Sequence, residues 1–223
     1  MPFHNPSQAE QNDFLIRLYF GQREPLTACV DRAYLDFSRT LHGMAHLADA
    51  ASVPRKGGEF VSSWLTHLRD PRGAWDLDSF DAHHRNACER LCELYAAHGF
   101  DCFVVGQAQK WLNMSLKYVF VFGEQRLSGF ARSYPLGHVP IDNIILARLS
   151  EYHAPRLSSS SWSRLNEYGE YLSFQQWVRH RFPECAPLAV EFHLWRPSNE
   201  VQGARSNKRL QPTAPGTFMK RRG

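Results

Sequence analysis

Long apolar runs are missing from this chain: none of its 223 residues belongs to a stretch of about 18 apolar residues, the length a membrane-crossing helix needs. The opening Met-Pro-Phe-His-Asn-Pro-Ser lacks the basic-then-apolar order of a secretory leader, so the expected compartment is the cytoplasm, with no membrane partner. Cysteine is scarce, odd in number and never spaced as CxxC (Cys29, Cys88, Cys92, Cys102, Cys185), which argues against a disulfide framework or a zinc knuckle. The sequence also has no GxSxG elbow and no glycine-rich phosphate loop. Serine-hydrolase and nucleotide-binding chemistry therefore have little support, and no nucleotide or other cofactor is expected.

Apolar residues make up 43% of the chain, enough to bury one sizeable core, so residues 1–203 are read as a single domain. The net charge of +4 invites a nucleic-acid reading. Its source argues otherwise, because Arg205, Lys208, Arg209, Lys220, Arg221 and Arg222 all lie in the last twenty residues, where no acid balances them. Without those six, the remaining basic residues are outnumbered by two acids, and the globular part carries no strong footprint for a polyanion. Residues 204–223, rich in Pro, Gly, Thr and basic side chains, are expected to form an unstructured basic tail.

The dominant local signal is helical periodicity. Ser7 caps an expected helix to about Phe20, with Phe14, Leu15, Leu18 and Tyr19 on one face and Gly21 as its stop. A longer helix opens at Pro25, with Leu26, Val30, Ala33, Tyr34, Phe37 and Leu41 at spacings of three and four. Residues 48–58 read as a loop, 59–68 as a short helix, and a helix capped by Asp78 or Ser79 runs to Gly99. After a strand-like connector at 100–105 come a helix over 107–122, a long ordered loop over 123–140, and a short helix started by Asp142. Asn166 caps a helix through Phe182, and Pro187 begins the last one. The expected fold is all-α, a single compact domain of seven to eight helices.

Two positions stand out chemically. Lys110 falls early in the 107–122 helix, where unpaired backbone N–H groups disfavour an ammonium and favour a nucleophilic amine. Asp142 follows His138-Val139-Pro140-Ile141 at a helix N-cap, where backbone N–H groups hold a carboxylate. The competing readings are an ordinary surface lysine and a plain cap. Lys110, Asn113 and Lys117 stand at i, i+3 and i+7, so a stripe facing the 123–142 loop would bring Lys110 to Asp142. His84, Cys88 and Cys92 share a helical face, but no fourth ligand is evident, and small-hydrophobe packing is the simpler account; no metal is expected. His42 and His46 are read as surface or helix-end histidines.

The order of helix, short connector, helix with an early lysine, and proline-containing loop ending in His138-Val139-Pro140-Ile141-Asp142 resembles the helix-hairpin-helix DNA glycosylase superfamily, and its archaeal-type 8-oxoguanine glycosylases in particular. The resemblance covers residues 79–150. It implies a base-excision enzyme in which Lys110 attacks C1′ of a damaged nucleotide and forms a Schiff base while Asp142 assists, with damaged DNA as partner. It also implies an extruded base held between aromatic walls, for which Trp111, Trp162 or Trp195 are candidates. Gln107, Trp111, Asn113 and His138, close to the two catalytic candidates, are the expected substrate-binding residues. The rival reading is a non-catalytic α-helical interaction or accessory protein. The tail, residues 206–223, resembles endings that recur on unrelated bacterial proteins and look like translated genomic repeat.

Overall fold

The computed structural model describes residues 5–47, 49–73 and 75–195. Those residues form eight α-helices and no strand: α1 (Gln8–Phe20), α2 (Pro25–Phe37), α3 (Ser52–Leu68), α4 (Leu77–Ala96), α5 (Val105–Phe122), α6 (Asn143–Ser150), α7 (Tyr168–Arg181) and α8 (Pro187–Leu194). None of these helices is long and apolar enough to cross a membrane. The basic tail lies outside the described residues.

α5 is the axis of the molecule. Fifteen of its eighteen residues are buried, and α2, α3 and α4 pack around it. Its sequence explains this position, because bulky apolar residues occupy nearly every side of the helix, and a helix apolar all round is stable only in the interior. Trp111 is the largest side chain fully buried there, and its indole N–H donates to Val30 O of α2 at 3.1 Å. α3 approaches the same ring so closely that a Cβ on Gly57 would stand 2.6 Å from it.

Several boundaries differ from the sequence reading, each for a local reason. α3 begins at Ser52, seven residues before the expected start, so Lys56-Gly57-Gly58 is helical; the two glycines that read as a loop are the residues that let α3 press against Trp111. α4 is capped by Asp76, whose carboxylate accepts from Ser79 N–H at 2.8 Å while the Ser79 hydroxyl accepts from Asp76 N–H at 2.9 Å, a reciprocal box that fixes the start two residues early. α2 stops at Phe37 and passes into a 3-10 turn, Ser38–Thr40, instead of continuing. α7 starts at Tyr168 behind Glu167, and Asn166 is not its cap. The connector 97–104 is built from turns, and it does not pair as a strand. The apolar face of α1 is only partly covered: Ile16 and Phe20 pack against the core, while Phe14, Leu15 and Leu18 are exposed and no residue of the helix is fully buried.

Candidate functional site

α5 starts at Val105, two residues before the expected start, so Lys110 is its sixth residue and stands beyond the first turn. The orphan N–H groups of the helix start are used otherwise: Gln107 reaches back so that its Oε1 accepts from Val104 N–H at 2.8 Å. Gly106 N–H donates to Leu165 O at 2.8 Å, and a Cβ at Gly106 would lie 2.0 Å from Trp162 O. That glycine lets the 3-10 turn Trp162–Arg164 sit directly on the start of α5 and brings Trp162 beside Lys110.

The loop ending in Asp142 is held by two glutamines. Gln175 of α7 donates to Val139 O and accepts from Val139 N–H, at 2.9 and 3.0 Å. Gln109 of α5 does the same to Ile141, donating to its O at 2.9 Å and accepting from its N–H at 3.2 Å. Each side-chain amide thus satisfies buried backbone groups that a sheet would otherwise pair. The second clamp also sets the register: with residue 109 locked to residue 141, the next residues, 110 and 142, face each other. Lys110 Nζ lies 2.5 Å from Asp142 Oδ2, with side chains only 4% and 16% exposed. The other oxygen, Oδ1, accepts from Ile145 N–H at 2.9 Å and caps α6. The carboxylate is therefore fixed at both oxygens.

This pair opens onto a cleft of about 690 Å3 between α2, α5, α6 and α8. Its aromatic lining comes from Tyr19, Phe20, Tyr118, Trp162 and Trp195, and its charged rim includes Arg32 and Arg39. A second lysine–carboxyl contact lies in the same cleft, two helical turns along α5: Lys117 Nζ stands 2.7 Å from Glu191 Oε1. Glu191 is fully buried on α8, and burial raises its carboxyl above the ordinary value, with Lys117 and Lys110 pulling the other way. The phenol of Tyr118 donates to Asp36 at 2.5 Å, closing the far wall.

Four expected substrate-binding residues point elsewhere. Gln107 is engaged with Val104, and Trp111 is enclosed between α2 and α3. Asn113 and His138 belong to a buried polar network behind α5. Asn113 donates to Gln109 Oε1 at 3.1 Å and to the Tyr171 hydroxyl at 2.8 Å, and accepts from His84 Nε2 at 3.0 Å. His138 sits between Tyr171 and Asp81, and Arg179 reaches Asp81 with two bonds of 2.7 Å. The i, i+3, i+7 stripe therefore divides: Lys110 and Lys117 face the cleft, while Asn113, displaced by 60° around the helix, faces α4 and α7. These residues act from behind, because Asn113 orients the Gln109 amide that sets Lys110 against Asp142.

His84 is tied to Asn113 and Tyr168, Cys88 is buried beside it, and among the described residues no cluster of three or more His, Cys, Asp or Glu side chains has metal-holding geometry. His42 and His46 are exposed. The sequence reading passed over Glu191, Arg32, Arg39 and Tyr118. A signal for Glu191 was present, since it is the one acid in the largely apolar run Pro187–Leu194. No family model, no curated protein and no solved structure matches this chain.

Proposed function

We propose that this chain is a lysine-dependent DNA glycosylase/lyase acting on a damaged base, as its likeness to the helix-hairpin-helix glycosylases implies. The observation that carries the reading is the meeting of Lys110 and Asp142, 32 positions apart in sequence, at 2.5 Å on the wall of an open aromatic cleft. In this reading Lys110 Nζ attacks C1′ of the extruded nucleotide. The bond to the base breaks, and loss of a proton and opening of the sugar ring leave a Schiff base on the lysine. Asp142, held ready by its bond to Ile145 N–H, takes the proton from nitrogen and stabilises positive charge developing at C1′.

A volume of about 690 Å3 accommodates one nucleoside, and Trp162 and Trp195 offer flat surfaces against which an extruded base stacks. In this reading α4, the connector 97–104 and α5 take the part of the family's hairpin. Because Gly106 N–H is already given to Leu165 O, contact with backbone phosphate falls to side chains at the cleft rim, with Arg32 and Arg39 in position. A second reading, a helical interaction protein, is favoured by one observation: the exposed face of α1 formed by Phe14, Leu15 and Leu18.

Borohydride trapping separates the two. Folded protein incubated with duplexes carrying an abasic site gives a covalent adduct that Lys110→Gln abolishes. Absence of a Lys110-dependent adduct from well-folded protein, on abasic and oxidised-guanine duplexes alike, refutes the enzyme.

A further inference from the structure

The cleft holds a carboxyl group that the lysine and its partner aspartate leave unused. Glu191 is fully buried on α8 and lines the same cleft as Lys110 and Asp142. Its Oε1 accepts from Lys117 Nζ at 2.7 Å and from the Trp195 indole N–H at 3.2 Å. Its Oε2 is sealed from solvent and has no hydrogen-bond partner among the described groups. Leaving such an oxygen buried and unpaired is costly, so it marks a place where a ligand can supply what the fold does not. Trp195, 53% exposed, lies over Lys117 at 5.4 Å and bonds Oε1, so a shift of this ring against an entering base would uncover the carboxyl group.

We infer that Glu191 is the general acid of this site, delivering a proton from Oε2 to the departing base. The inference rests on the lysine-nucleophile reading above. Asp142 takes a proton from the Lys110 ammonium, the freed lone pair forms the Nζ–C1′ bond, the C1′–N bond breaks, and its electron pair passes to the base nitrogen, which takes the Glu191 proton. The new secondary ammonium then returns a proton to the Glu191 carboxylate, so both carboxyl groups end protonated and the one proton they gain is the one that began on the Lys110 ammonium. The two carboxyl groups are differently equipped for these tasks: Asp142 is fixed at both oxygens by Lys110 and Ile145, whereas burial favours the protonated form of Glu191 and its second oxygen has no partner. Lys117 and the aromatic cover keep that proton from bulk water until the cleft is filled.

Two duplexes distinguish this role from that of Lys110. One carries 8-oxoguanine, and the other carries a preformed abasic site from which no base has to leave. With Glu191→Gln in the full chain, single-turnover base release falls about 100-fold or more, the low end of what a positioned acid contributes. Borohydride trapping on the abasic duplex stays within about threefold of wild type, which also shows that the variant is folded and its lysine is competent. Glu191→Asp recovers part of the base release. The inference is overturned if Glu191→Gln releases base at the wild-type rate, if it loses both activities in parallel, or if wild-type protein traps the abasic duplex yet leaves the oxidised base attached. Failure of wild type to trap the abasic duplex removes the lysine reading, and this role with it.

Discussion

Two adjacent glycines on α3 give a test in which helix propensity cancels. Gly57 and Gly58 both lie inside the helix, so replacing either with alanine gains about 1 kcal/mol from backbone entropy alone. Their surroundings differ. A Cβ at 57 would stand 2.6 and 2.7 Å from two atoms of the Trp111 ring, and that ring is pinned by its bond to Val30 O and packed against Tyr34 and Phe37. At 58 the nearest atoms are a Val30 methyl at 3.7 Å and the Trp111 ring at 3.8 Å, ordinary van der Waals contact. Relieving the overlap at 57 requires the ring or the helix to move, at a cost of about 1–3 kcal/mol. Gly58→Ala is therefore expected to stabilise by about 1 kcal/mol, and Gly57→Ala to lie between neutral and about 2 kcal/mol destabilised. For a domain of this size, the gap between the variants should appear as roughly 2–12 °C in Tm. Urea and thermal unfolding followed by far-UV circular dichroism measure both. If the two variants unfold together, or if Gly57→Ala is the more stable, then α3 does not press on Trp111 as described.

The ion pair and the buried histidines give two more tests. Asp142→Asn keeps a good helix cap but removes the partner of a lysine that is 4% exposed, and should cost about 3–5 kcal/mol; Lys110→Met with Asp142→Asn should cost less than the two singles summed, and additivity within about 0.5 kcal/mol in urea unfolding would refute the coupling. Burial holds His84 and His138 below their ordinary value, and His83, between Trp64 and Trp75, is pushed down to about 4 by burial with His67 adding to the effect. The unfolded chain takes up these protons near pH 6.5 and the fold does not, so stability is full above about pH 6.5 and falls as pH drops, the His83 share levelling off below about 4. For Asp81, hydrogen bonds from Arg179 and His138 outweigh burial and lower the carboxyl, so its contribution is present above about pH 3.9 and is lost on further acidification. His83→Phe should flatten part of the slope between about pH 6.5 and 4, and a wild-type unfolding midpoint unchanged across that interval would contradict the burial of these rings.

Much of the fold was legible because its signals are local. The helical period of α2, the cap at Asp142 and the end of α5 at Phe122 are read from a few neighbouring residues, and each stands in the structure. What was not legible depends on contacts between distant segments. Lys56-Gly57-Gly58 has the composition of a loop, and only the ring of Trp111, more than fifty positions away, explains why glycine belongs inside that helix. The polar residues of α5 were visible as a stripe, but spacing alone does not distinguish a side chain facing the cleft from one 60° away that faces the interior. Asn113 and His138 have a site-like composition because they support the site from behind.

The meeting of Lys110 and Asp142 depends on both kinds of signal. The cap at Asp142 is local, but its distance from Lys110 is set by Gln109, whose amide bonds both backbone groups of Ile141 and is itself held by Asn113. A glutamine one residue before a lysine carries no special signal in the sequence. In the fold it is the residue that decides whether the lysine has a partner, because a shift of one position along the 138–142 segment would turn Asp142 away and leave a buried ammonium unpaired. The polar character of α5 follows from the same requirement. A segment with strand-like backbone, lying in an all-helical interior, has no neighbouring strand to satisfy its N–H and C=O groups, and the side chains of Gln109 and Gln175 take that place.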